Sequence, residues 1–138
     1  MLIANVVRPA GEWRDPRHRR GLAGELAAAR YLIANGWSIE AHRFRVGHHD
    51  LDLIARQRDL VAFIEVKTRS PSRFGDGREA VGARKRAILE LVAAVWLARR
   101  GRAGERYRFD VMLVGRGPVG STFPQVAHIP DAWRRVEK

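Results

Sequence analysis

DLDLIARQRDLVAFIEVKTR, residues 50–69, holds two apolar-rich runs on either side of a short polar turn at Gln57–Asp59. Runs of this length and composition around a tight polar turn predict a β-hairpin. Side chains alternate along a strand, so Asp50 and Asp52 are expected on one face and Leu51 and Leu53 on the other. The same rule groups Glu65, Lys67 and Arg69 opposite Ile64 and Val66. Folding the two runs together brings Asp52 and Glu65 within metal-bridging distance. Two carboxylates with a backbone carbonyl, for instance that of Val66, form the hard-oxygen set that Mg²⁺ accepts while keeping waters. Lys67 points into the same place, where an ammonium can orient a water and stabilise charge developing on a phosphate. Cross-strand ion pairs on an exposed sheet would use the same residue types. Residues 60–64, however, are apolar on both faces, which marks a central, covered strand and favours a site.

Working outward, Leu22, Leu26, Ala29, Leu32 and Ile33 recur at helical spacing over residues 21–35, with Gly36 as a stop. Residues 37–45 alternate as a strand, and Gly47, His48 and His49 mark a turn. Residues 70–77, with Pro71, Gly75 and Gly77, predict a loop. A long amphipathic helix is expected over about residues 79–100, ended by Gly101, then a buried strand over 107–114. A short strand near 125–129 and a turn of helix after Pro130 complete the chain. Joining strands 60–69 and 107–114 through a helix is a crossover, which makes them parallel neighbours. The expected fold is α/β: a three-strand antiparallel meander plus a parallel crossover strand in one mixed sheet, flanked by helices. Residues 1–17 read as a loose basic arm and 18–138 as a single domain.

The composition narrows the function classes. The chain has 138 residues and a net charge of +11, with 23 arginines and three lysines, Lys67, Lys85 and Lys138. An apolar fraction of 46% is too high for a disordered polycation, so the charge belongs to a folded body. The absence of cysteine excludes disulfides, thiolate catalysis and sulfur-bound zinc. No apolar window is long enough to span a membrane, and no signal-peptide order opens the sequence, so a cytoplasmic protein without membrane contact is expected. The basic surplus favours a polyanionic partner, most simply nucleic acid.

Two charges stand where charge is costly. On a helical wheel Glu25 falls between Leu32 and Ala29, inside the apolar stripe, where a carboxylate needs a cation, a metal or a solvated cleft. A position at the stripe's edge, with the side chain reaching outward, would also suit it. Lys85 falls in the middle of the second helix's apolar face, near an N-terminus whose dipole disfavours a cation; its stem could equally pack while the ammonium escapes at the sheet edge. The pair His48-His49 beside Asp50 suggests a transition-metal site, but adjacent turn residues point apart and an exposed loop suits them better. His18, His42 and His128 suggest no partner.

These residues carry a resemblance. Asp52…Glu65-Val66-Lys67, preceded by a helix with a glutamate, looks like the PD-(D/E)-x-K nuclease superfamily. More closely, the chain resembles the YraN-like uncharacterised protein family, whose members are similar to Holliday-junction resolvases. Six ordered blocks match: GLAGELAAARYLIANG (21–36), HDLDLIA (49–55), VAFIEVKTR (61–69), FGDGREAVGARK (74–85), AVWL (94–97) and RFDV (108–111). The resemblance implies a restriction-endonuclease-like core, with Asp52 and Glu65 as metal ligands, Lys67 as the catalytic lysine and Glu25 completing the metal site. Asp50 stands where the family has glutamate, keeping the charge with a shorter reach. His49 replaces a family glycine, bringing a bulky ring to a turn expected to need free backbone angles.

The implied activity is a Mg²⁺- or Mn²⁺-dependent endonuclease acting on structured or branched DNA, the DNA being implied by the resemblance alone. Asp50 and Lys85 would assist, and Arg43, Arg45, Arg69, Arg73, Arg78 and Arg84 would neutralise flanking phosphates. A two-fold homodimer would suit a four-way junction. The alternative is a noncatalytic nucleic-acid-binding module that kept the nuclease fold.

Overall fold

A computed structural model describes residues 16–134. Helix α1 (Pro16–Ala34) leads into strands β1 (Ser38–Val46), β2 (His49–Gln57) and β3 (Leu60–Thr68). Two short 3₁₀ turns, Pro71–Arg73 and Gly77–Ala80, precede helix α2 (Ala83–Arg100), β4 (Arg106–Gly115) and β5 (Gln125–Trp133). The strands form one sheet in the order β1-β2-β3-β4-β5, in which β3 and β4 are parallel and the other neighbours antiparallel. This is the mixed, helix-flanked sheet of a restriction-endonuclease-like core, with the hydrophobic β3 at its centre.

The sheet separates two cores. On one face α1 packs Ala28, Ala29 and Leu32 against Leu53, Ile64 and Met112. On the other α2 packs Leu89, Val92 and Trp96 against Ile54, Phe63 and Val111. Small residues let α1 lie close: a Cβ at Gly24 would stand 2.6 Å from Thr68 Oγ1 on β3. That approach fixes where Glu25 meets the sheet.

Several boundaries differ from expectation. Residues 1–15 of the expected arm lie outside the described residues, as does the side chain of His18, and α1 begins at Pro16 rather than 21. Its buried stripe is rotated from the expected one: Ile33 is exposed and Leu26 half-buried, while Glu25 and Ala28 are buried. Glu25 thus sits inside the contact, not at its edge. Helix α2 starts at Ala83 because residues 77–80 form a 3₁₀ turn, whose N-cap Asp76 accepts the Arg78 N–H at 3.0 Å.

The expected helical turn after Pro130 is absent; β5 runs on to Trp133. A bulge absorbs Pro130 and Asp131, since Phe109 pairs with Trp133 and Val111 with Ile129. Asp131 takes a φ of 52° and donates its N–H to Asp110 Oδ1 at 2.9 Å. An edge strand tolerates a proline at such a bulge because no ladder bond is lost there.

Candidate functional site

Strand β3 alternates as its sequence predicts. Val66 and Thr68 face α1, while Glu65 and Lys67 face the side on which α2 lies. Strand β2 does not keep period two through Asp52: Leu51 joins the α2-side core and Leu53 the α1-side core, where both were expected on one face. The cause is a divergence of the two strands. Their ladder ends at Leu53↔Ile64, and beyond it Asp52 Oδ2, not a backbone carbonyl, accepts the Val66 N–H at 2.8 Å. A carboxylate is thereby wedged at the fork of the two central strands, beside Glu65.

The electrostatics of this fork are unfavourable as it stands. Burial, then the like charge of Glu65 alongside, hold the Asp52 carboxyl well above the usual aspartate range. Glu65 stands close enough to exchange a hydrogen bond with it when one of them is protonated. Glu65 itself is 3% exposed. Lys67 Nζ and Lys85 Nζ approach its Oε2 from two elements, at 3.6 and 3.4 Å. Both ammoniums retain substantial solvent contact and sit just beyond ordinary hydrogen-bond length. Among the described residues no cationic group lies within 4 Å of Asp52. Two adjoining oxygen donors that repel each other, with ammoniums close to Glu65 only, fit a divalent ion, which would remove the repulsion. Lys85 reaches the site from the first turn of α2, so its place on the apolar face resolves as an ammonium leaning over the sheet edge.

Glu25 does not join this pair. It accepts Arg43 Nε at 2.8 Å and Arg43 Nη2 at 2.6 Å, and His42 Nε2 lies 2.9 Å from its Oε1. Burial would raise its pKa, but the bidentate Arg43 and the adjacent His42 outweigh that and hold the carboxyl below its usual value. Among the described residues no three His, Asp or Glu side chains gather as a metal-holding cluster. The expected trio of Asp52, Glu65 and Glu25 is therefore divided, because β1 supplies Glu25 with its own partners, Arg43 and His42. Arg43, expected to contact phosphate, donates to Glu25 through both Nε and Nη2. Its φ of 54° breaks the alternation of β1, so that consecutive His42 and Arg43 both reach the helix.

Of the remaining basic candidates, Arg69, Arg73, Arg78 and Arg84 are exposed around the outer end of β3 and the start of α2, and Thr68, Arg69, Ser70 and Arg73 line an open cleft there. Arg45 donates to the Gly47 carbonyl at 3.1 Å and stands 3.7 Å from Asp50 Oδ1. His48 and His49 are exposed, and the tight-turn angles fall on Gly47, with a φ of 62°. His49 is the first residue of β2, so its ring replaces the family glycine without the strain expected of it.

Sequence reasoning missed a second charged centre. Asp110, fully buried in β4, accepts Arg108 Nε at 2.9 Å and the Asp131 N–H, and His128 Nε2 lies 2.7 Å from its Oδ2. An acid inside the apolar run Phe109–Val114 was the available signal, the same kind that singled out Glu25. His42 and His128, for which no partner was inferred, each sit beside a buried carboxylate. Arg56 was missed too: it is buried over the Trp96 ring and bonded to Glu40 and Glu105.

Among the described residues no helix is long and apolar enough to cross a membrane. A family model described as Uncharacterised protein family UPF0102 matches residues 24–114. A UPF0102 protein of Frankia alni is 43% identical over 113 residues, covering 82% of this chain and 92% of its own length. One of Moorella thermoacetica is 44% identical, covering 71% and 82% respectively, and one of Bordetella avium is 40% identical, covering 84% and 77%.

Proposed function

The chain belongs to uncharacterised protein family UPF0102, and we propose that it is a metal-dependent endonuclease that hydrolyses phosphodiester bonds of structured or branched DNA. The observation that carries this reading is the fork between β2 and β3. Asp52 and Glu65 repel each other there, and two ammoniums approach Glu65 from the open side. Such a site is costly to maintain for stability alone, and a carboxylate perturbed as Asp52 is belongs to the kind that gathers at catalytic centres. Asp52 and Glu65 would hold Mg²⁺ or Mn²⁺, which when bound supplies positive charge to the scissile phosphate and acidifies a water. Lys67 would orient that water and stabilise charge on the phosphate, with Lys85 flanking it. Arg69, Arg73, Arg78 and Arg84 would neutralise neighbouring phosphates without reading sequence. Glu25 is assigned to positioning: it ties α1 to β1 through Arg43 and His42, behind the fork.

The test is nicking of supercoiled, four-way-junction and single-stranded DNA in Mg²⁺ or Mn²⁺. Lys67→Ala is expected to lose at least ~100-fold in rate, the scale of a lost catalytic group. Equal cleavage by both proteins would assign the activity to a contaminant. One observation favours a second reading, a noncatalytic nucleic-acid-binding module: Glu25 is already neutralised and leaves two carboxylates where three were expected. DNA binding that is intact while calorimetry detects no Mn²⁺ binding at millimolar concentration would select that reading.

A further inference from the structure

Residues 84–102 carry a net charge of +5, and the proposed site uses only the amino-terminal part of it. At the other end of α2, a pocket of about 320 Å³ opens between the helix and β1, lined by Glu40, Phe44, Arg56, Trp96, Arg99 and Arg102 among others. Its floor is charge-balanced, because Arg56 is sealed over Trp96 by Glu40 and Glu105. Its rim is not. Arg99, Arg100 and Arg102 are exposed, and among the described residues none has a carboxylate within 4 Å of its guanidinium. The helix dipole accounts for basic residues in the last turn, Arg99 and Arg100. It does not account for Arg102, which lies past the helix end, nor for the concavity with an aromatic wall. Arg99 stands over the Phe44 ring at 5.9 Å, an arrangement that holds its guanidinium at the pocket mouth.

We propose that this pocket is a phosphate-binding site for a nucleotide unit, with Arg99 and Arg102 taking the phosphate oxygens and the Phe44 side offering apolar surface to the sugar and base. Unpaired guanidiniums suit phosphate through paired, parallel hydrogen bonds. The nucleotide is either part of a strand or free. For a strand, the inference rests on the nucleic-acid reading above and adds a distal anchor: Lys85 and Arg99 are 14 residues apart on one helix, about 20 Å along its axis. A strand lying along α2 would then be held at both ends, with its scissile region at the β2–β3 fork.

The experiment uses the full chain in EDTA, so that binding is read without cleavage. Anisotropy of a labelled 15-mer of thymidylate is measured against salt, and calorimetry follows titration with adenosine monophosphate and with inorganic phosphate. The double variant Arg99→Glu/Arg102→Glu is expected to weaken 15-mer binding at least tenfold and to lower the salt slope by ~1.4, two phosphate contacts on a single strand. Arg102→Gln serves as the milder variant should the double one not fold, thermal melts being the check. Loss of 15-mer binding alone identifies a strand as the source. Loss of adenosine monophosphate or phosphate binding identifies a free nucleotide. A folded variant that binds all three probes as the parent does, or a parent that binds none, overturns the proposal. Because no metal is present, failure of the endonuclease reading leaves this result legible.

Discussion

The α1 face of the sheet and the fork between β2 and β3 bury acids in opposite ways. On the α1 face, Glu25 and Asp110 are deeply buried and satisfied: Glu25 by Arg43 and His42, Asp110 by Arg108, His128 and a backbone N–H. At the β2–β3 fork, Asp52, wedged between the strands, and Glu65, on the α2 side, are set against each other, with ammoniums near Glu65 only. Both arrangements remove carboxylates from water. The difference is what remains unneutralised. Buried acids with matched partners tie elements together, α1 to β1 and β4 to the bulge of β5. A buried acid without a matched partner, as Asp52 is, leaves an attraction for a cation that the fold does not itself supply.

That contrast can be broken by mutation. Asp110→Ala removes the fully buried member of a charge network and leaves Arg108 and the Asp131 N–H uncompensated. A loss of about 3–5 kcal/mol is expected in urea unfolding, against no loss or a gain for Asp52→Asn, which relieves repulsion. A similar cost for both would mean that the fork is a satisfied structural cluster like the one around Asp110. Glu25→Gln ranks next, at about 2–3 kcal/mol, since the amide keeps one acceptor for Arg43 but loses the charge. Thermal melts measure it, and a loss under ~0.5 kcal/mol would mean that the Arg43 pair is dispensable.

The smallest effect is in pH dependence, where the fork and the α1 face have opposite signs. Asp52 has a raised pKa, so its contribution to stability is full below the ordinary aspartate value of 3.8 and is lost as pH rises through the raised value. Glu25 has a lowered pKa, so its contribution is present above the ordinary 4.5 and is lost as pH falls through the lowered value. Adding Mg²⁺ is expected to raise the melting temperature by a few degrees at neutral pH, less at pH 4, and not at all in Asp52→Asn. Equal Mg²⁺ stabilisation in that variant would place the ion elsewhere.

How much of this was legible beforehand follows physical lines. The hairpin at residues 49–68, the parallel crossover through α2 and the central place of β3 were readable because period-two patterning, turn residues and the geometry of a crossover are local or near-local constraints. Glu65 and Lys67 were readable for the same reason, since they share one face of a regular strand. The regularity failed where a side chain entered the backbone ladder. Asp52 accepts the Val66 N–H, Arg43 takes a positive φ, and Asp110 holds the β5 bulge past Pro130. Each case replaces a rule of spacing with a contact between residues distant along the chain.

The amino-acid sequence by itself determined the element order, the mixed sheet, and which acids and lysines stand where burial makes charge expensive. Hydrophobic periodicity specifies faces, and a charge on an apolar face shows without knowledge of its neighbours. Tertiary structure alone decided which of those charges are neutralised. A rotation of the α1 stripe gave Glu25 to Arg43 and His42, and the divergence of β2 from β3 left Asp52 against Glu65. Charge compensation depends on distances of a few ångströms across elements, and no periodicity in the chain encodes them.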